Sequence, residues 1–184
     1  MGVRRVVTGH DESGKSVFAS DQTVEPDRPA LLPSSEFYQL WGGDTTPQFP
    51  DDGTMPDWLS YFPPIGGFRF GIFTVPPGVA GGEPADVDVE QAFADLEAKL
   101  PGMLRYMDPS DPGMHTTDTI DFEVVLEGTI VLELDDGAEV TLQPGDTVVQ
   151  NGTRHRWRNP GDTPARLALF ICGASHAAVP ASQE

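Results

Sequence analysis

Basic residues are scarce in this chain. Eleven Lys and Arg stand against 29 Asp and Glu, a formal net charge of -18 over 184 residues. Nucleic acids and anionic membranes are recognised by a basic footprint, so the composition argues against both as partners. Cysteine is scarcer still. Cys172 is alone, which excludes an intrachain disulfide. Its neighbours, Leu167-Ala-Leu-Phe-Ile-Cys172, read as a buried strand, not the electropositive and accessible setting of a reactive thiol. No apolar run is long enough to span a bilayer. The N-terminus lacks the apolar core of a signal peptide, and Val6 stands where a myristoylation signal needs Ser or Thr. A cytoplasmic location is expected.

Turn formers are plentiful, with Gly 20 and Pro 18. They cut the chain into short apolar runs, which suits many strands and ordered loops better than long helices. The length fits one domain with a sizeable core. Residues 1–65 read as N-terminal strands and loops packing on a barrel. They begin with a hairpin, Val3–Thr8 and Lys15–Ser20, around the turn-rich Gly9–Gly14. A further strand is expected at Ser35–Trp41 and a strong one at Phe68–Val75, ended by Pro76-Pro-Gly78.

Residues 66–174 read as the barrel itself. Val89, Ala92, Phe93, Leu96 and Leu100 recur at helical spacing, which predicts an amphipathic helical insertion over about 86–107 that plugs a barrel end or serves as a lid. Strands then follow closely: Ile120–Leu126, Thr129–Leu134, Glu139–Leu142, Thr147–Gln150, His155–Arg158 and Ala165–Ile171. Their connections are too short for crossovers, so antiparallel neighbours are implied. The fold class expected is all-β, a double-sheet jelly-roll barrel with a short inserted helix. Residues 175–184 read as a loose tail that includes His176.

Two segments carry possible chemistry, His115-Thr-Thr-Asp-Thr-Ile-Asp121 and Gly152-Thr-Arg-His155-Arg-Trp-Arg-Asn159. On a strand, side chains alternate. His115, Thr117, Thr119, Asp121, Glu123 and Val125 therefore share one face, with Ile120, Phe122, Val124 and Leu126 on the other. His155, Trp157 and Asn159 share a face of the returning strand. Acids and imidazoles facing a barrel lumen are costly unless paired or bound to a cation.

These segments resemble the cupin superfamily. Asp121, six residues, then Gly128 resembles the end of that family's first motif, with Asp in place of Glu. His115 matches its first histidine, and Thr117 falls where the second would stand. Gly152, two residues, His155, three residues, Asn159 resembles the end of the second motif. The resemblance covers roughly residues 66 to 172 and looks like a subgroup of small single-domain cupins. Relatives of that subgroup occur beside aromatic polyketide pathways, where decarboxylation or dehydration is proposed. It also implies a homodimer, with the N-terminal hairpin a candidate for exchange between subunits.

The expected metal ligands are His115, Asp121 and His155, holding one divalent Fe, Zn or Mn ion with open coordination positions. Glu123, about 7 Å along the strand from Asp121, is the candidate acid or base. Trp157, Phe70, Thr117 and Asn159 are the expected substrate contacts. Arg69 is read as either a carboxylate anchor or an external ion pair, and Asp118 as an alternative ligand. The leading expectation is a metal-dependent lyase, a decarboxylase or dehydratase acting on a small oxygenated, aromatic or polyketide-like molecule. An Fe(II) dioxygenase and a metal-free small-molecule-binding cupin stand beside it.

Overall fold

The computed structural model describes residues 2–79 and 88–177. Eleven strands and one helix follow in order: β1 Val3–His10, β2 Ser16–Val24, β3 Glu36–Gly43, β4 Phe68–Val75, β5 Gly78–Val79, α1 Val89–Lys99, β6 Thr119–Glu127, β7 Ile130–Glu133, β8 Glu139–Leu142, β9 Thr147–Gln150, β10 Arg156–Asn159 and β11 Ala165–Gly173. A 3-10 turn at Met103–Tyr106 follows the helix. Two sheets form the barrel, one ordered β3-β4-β11-β6-β9 and one ordered β5-β10-β7-β8, while β1 and β2 pair only with each other. Every strand pair is antiparallel. This is the jelly-roll architecture. No helix among the described residues is long and apolar enough to cross a membrane.

Alternation decides what each sheet buries. Along β6, Thr119, Asp121, Glu123 and Val125 are buried, while Phe122, Val124 and Leu126 are exposed. Along β11, Leu167, Leu169 and Ile171 point into the core. Trp157, Phe73, Ile130 and Leu132 meet them from the other strands. Fully burying one Leu or Ile contributes about 1.5–3 kcal/mol, so this core carries much of the stability. The outer face of the five-stranded sheet is also apolar. Phe70, Phe170, Phe122 and Val149 lie side by side across four strands, all exposed.

Two glycines of the resembling segments have a physical reason. Gly128 has φ +77 and Gly152 has φ +60, a region that L side chains rarely adopt. A Cβ at Gly128 would also lie 2.8 Å from the Ala165 Cα, and one at Gly152 would lie 3.0 Å from the Thr117 carbonyl oxygen.

The insertion is helical at Val89–Lys99; residues 86 and 87 of the expected 86–107 segment lie outside the described residues. Asp88 caps the helix, its carboxylate accepting from the Glu90 and Gln91 amides at 3.1 and 3.2 Å. The helix buries Ala92 and Leu96, and Leu100 and Met103 join the barrel core behind it. Of the segment read as a tail, residues 178–184 lie outside the description. His176 is anchored, its ring 3.1 Å from a carboxylate oxygen of Asp118.

Candidate functional site

The barrel encloses a cavity of about 410 Å³. Its walls are apolar, with Phe37, Phe62, Phe73, Leu104, Met107 and Trp157 among them. At one part of that lining His115, Asp121, Glu123 and His155 come together. The topology explains this. β6 brings the two carboxylates, and the residue before β10 brings His155. A backbone bridge brings His115 to it: the His115 amide donates to the His155 carbonyl at 2.9 Å, and the His155 amide donates back at 3.0 Å. The two ring centroids are then 4.1 Å apart, tilted by 52°.

Each imidazole is also held from behind. His115 Nδ1 lies 3.0 Å from the Gly113 carbonyl oxygen, and His155 Nδ1 lies 2.9 Å from that of Thr153. A carbonyl only accepts, so each Nδ1 carries the proton and each Nε2 keeps a lone pair. Burial pushes both imidazoles below their ordinary pKa. His155, also beside His115, falls to about 3.

The carboxylates move the other way. Glu123 is 5% exposed and Asp121 is 6% exposed. Burial raises Glu123 to about 8, helped by the negative charge of Asp121, and burial raises Asp121 to about 6. Asp121 Oδ1 and Glu123 Oε2 are buried without a hydrogen-bond partner. Such orphaned atoms cost free energy and point to a guest that supplies their partners.

The fit of a metal can be read from these donors. The imidazole pair has what a metal asks for, two neighbouring lone pairs fixed by carbonyls behind them. The carboxylate does not join it. Among the described residues no group of three or more His, Cys, Asp or Glu side chains converges to hold an ion. His115, Asp121 and His155 do not form such a group here.

Of the expected substrate contacts, only Trp157 lines the cavity, its ring 6.1 Å from that of His155 and 6.2 Å from that of Phe73. Phe70 points the other way and is 44% exposed; Phe73, on the inward parity of β4, takes the place expected for it. Asn159 is fully occupied in the backbone. Its Nδ2 donates to the carbonyls of Val75 and Thr163, and its Oδ1 accepts from the Gly161 amide, so it holds the β10–β11 turn. Thr117 is buried and accepts from the Thr119 hydroxyl at 2.8 Å, away from the cavity lining.

Arg69 is neither an anchor in the cavity nor an external pair. It is 5% exposed and is spent on Asp44 at 2.6 Å and on the carbonyls of Gly43, Phe68 and Ser60. Asp118 holds His176 and is 3.9 Å from Arg105, so it is not a ligand beside His115.

Two further groups matter that composition and spacing did not single out. Tyr61 lines the cavity from the loop between β3 and β4. Burial, then the charges of Asp121 and Glu123, push its phenol well above the ordinary range. Arg154 clamps the segment that carries Gly113, binding Asp108 and Asp111 at 2.9 Å and Asp135 at 2.8 Å. The signal for it was present as alternating arginines at 154, 156 and 158.

Comparison with known proteins agrees with this architecture. The Cupin domain family model matches residues 105–172. The Oryzines biosynthesis cluster protein J of Aspergillus oryzae is 43% identical over 77 residues, 39% of this chain and 43% of that protein. The Phomopsin biosynthesis cluster protein C' of Diaporthe leptostromiformis is 33% identical over 175 residues, 91% of this chain and 76% of that protein. A cupin-domain-containing oxidoreductase of Neurospora crassa is 26% identical over 173 residues, 91% of this chain and 71% of that protein. The chain thus spans under half of the Aspergillus relative and about three quarters of the Diaporthe one. Among solved structures, the cupin domain of Schizosaccharomyces pombe Cnp3 is 13% identical, covering 94% of this chain and 89% of that one with a TM-score of 0.44. On the motif-bearing strands, the family match and the relatives that run its length, this chain belongs to the cupin superfamily.

Proposed function

We propose that this cupin is a biosynthetic enzyme of the lyase class, which eliminates water from, or decarboxylates, a small oxygenated substrate held in the barrel. One observation supports the reading above the others. Two carboxyl groups two residues apart on β6 face the same apolar cavity with orphaned oxygens, and their surroundings push them to about 6 and about 8. Titratable neighbours pushed apart in this way divide into a base and an acid. At neutral pH Asp121 is ionised and Glu123 is protonated.

In a dehydration the Asp121 carboxylate takes the proton from the carbon next to a carbonyl. The Glu123 carboxyl gives its proton to the departing hydroxyl, so that water and the unsaturated carbonyl compound result. The Nε2 atoms of His115 and His155 accept hydrogen bonds from substrate hydroxyls. Trp157, Phe73 and Phe62 cover the apolar part and exclude water. Tyr61, protonated throughout the working range, donates a hydrogen bond.

The test is a panel of β-hydroxyketones and β-ketoacids followed by product formation. Loss of the Glu123 proton donor in Glu123→Gln lowers turnover by about 10²–10⁴-fold; a variant as fast as wild type removes Glu123 from the mechanism. An Fe(II) dioxygenase is the second reading. The paired Nε2 lone pairs favour it, and the oxidoreductase name of the Neurospora relative is consistent with it. Metal analysis of protein prepared without chelators, with an oxygen electrode run on the same panel, separates the two. Oxygen uptake that is lost in His155→Ala would establish the dioxygenase. The homodimer is likewise our proposal, with the exposed row through Phe122 as the contact. Sedimentation of wild type against Phe122→Lys reads it, and an unchanged mass would remove that face from the contact.

A further inference from the structure

The chain has eleven basic side chains, and the structure shows where ten of them are engaged. Arg154, Arg156 and Arg158 hold Glu133 and Glu139 of the four-stranded sheet and Asp108, Asp111 and Asp135 of the loops beside it. Arg69, the cation on the inward parity of β4, is held by Asp44 and three carbonyls. Arg4, Arg28, Lys99, Arg105 and Arg166 each pair with an acid of their own. Arg5 donates to the Leu40 carbonyl. Lys15 lies in the tip of the β1–β2 hairpin. None of the eleven lines the cavity, and the segments outside the description, 80–87 and 178–184, contain no Lys or Arg. What the cavity offers instead is the acids Asp108, Asp121 and Glu123, two imidazoles whose neutral forms are held by carbonyls, and the neutral hydroxyls of Ser35, Tyr61 and Thr74, the last buried without a partner.

From this placement of charge we propose that the cavity takes an uncharged, largely apolar molecule bearing hydroxyl or carbonyl groups, and rejects carboxylates and phosphates. A carboxylate entering an apolar cavity leaves its water shell. It needs a cation or several hydrogen-bond donors in return. Here it would meet carboxylic acids and Nε2 lone pairs, with neutral hydroxyls as its only donors and no cation among the lining residues. A hydroxyl or ketone is served by the same groups: hydroxyls donate to Nε2 and to the orphaned Asp121 Oδ1, and a carbonyl accepts from the Tyr61 or Thr74 hydroxyl. A cavity of about 410 Å³ lies within the range of pockets that enclose small aromatic molecules. The inference rests on the cavity being the substrate site. It narrows the proposed lyase to dehydration, because a decarboxylase must hold a carboxylate.

The experiment uses the full chain in chelator-containing buffer and two probes of the same shape, 2-acetonaphthone and 2-naphthoate. Calorimetric titration at pH 7.5 gives their dissociation constants, in wild type and in Glu123→Gln. The ketone binds at least about ten-fold more tightly in both proteins. Equal or tighter binding of the naphthoate overturns the proposal, as does failure of both probes to bind. A naphthoate preference that appears only after loading Fe, Zn or Mn also overturns it, since the missing countercharge then comes from an ion. Turnover is not read here. Full activity in Glu123→Gln with the ketone preference intact would therefore sink the acid–base assignment and leave the substrate class standing.

Discussion

Asp108 and Glu123 are carboxylic acids on the same small barrel, and the fold drives them in opposite directions. Asp108 is held at about 2, first by the Ser110 hydroxyl and amide and then by Arg154. Glu133, at the end of β7, is lowered by Arg156 and Arg158. Glu123 rises to about 8 because it is buried, with Asp121 and no cation beside it. Side-chain chemistry does not account for the contrast. The difference is burial and what surrounds each acid: Asp108 is half-buried among the Ser110 donors and Arg154, whereas Glu123 is enclosed with an acid beside it and no arginine. One set of acids is built to stay charged and hold loops. The other is buried, with oxygens left without partners.

The largest expected effect comes from removing the inner acid. Glu123→Gln keeps shape and hydrogen-bonding capacity but cannot release a proton, so the 10²–10⁴-fold loss of turnover is paired with unchanged binding of a neutral probe. Asp121→Asn gives a loss of the same order. A turnover loss in one and not the other would break the division of roles between them.

Much of this was legible in the sequence, and the failures are instructive. The strands from Ile120 to Ile171 were readable because tight turns punctuate them, and the inward set His115, Asp121, Glu123 and His155 follows from period two. Phe70 was assigned to the wrong face. Aromatics occupy both parities of β4, at Phe68 and Phe70 on one and Phe73 on the other, and alternation alone carries no sign. Asn159 resembled a motif residue, but its three hydrogen bonds go to backbone groups brought near only by folding. Tyr61 sits in a loop without periodicity, and its approach to Asp121 exists only in three dimensions. The distance between the carboxylates and the imidazole pair is of the same kind, since spacing along β6 does not fix how close a carboxylate comes to a pair held on another strand.

A middle-sized effect is the pH dependence of stability. Glu123 has a raised pKa in the folded state, against 4.5 as its ordinary value. Its contribution is present in full below that ordinary value and is lost as pH rises toward 8. Between pH 7 and 8.5 the imidazoles are largely neutral in both states and do not interfere. One pKa unit corresponds to about 1.4 kcal/mol, and Tm of a chain this size moves about 2–4 °C per kcal/mol. Wild-type Tm therefore falls by about 2–4 °C over that interval, while that of Glu123→Gln stays level. A level wild-type profile would mean that Glu123 is not raised.

The outer set gives the smallest effect and the opposite pH sign. Asp108 is lowered, so its contribution is present above its ordinary pKa and is lost as acid brings the pH down toward 2. The partners of Arg154 are partly exposed, and such pairs contribute little individually. Arg154→Ala lowers Tm by about 1 °C, and the loss shrinks in high salt. A salt-independent loss would show that packing, not charge, is what Arg154 supplies.

The reciprocal amide–carbonyl bridge between His115 and His155 makes the two imidazoles one mechanical part. Whatever shifts the chain ahead of His115, including the aspartates gripped by Arg154, shifts both rings together and leaves their separation unchanged. A substitution in the loop ahead of His115 is therefore expected to be felt at His155 as well, forty residues on.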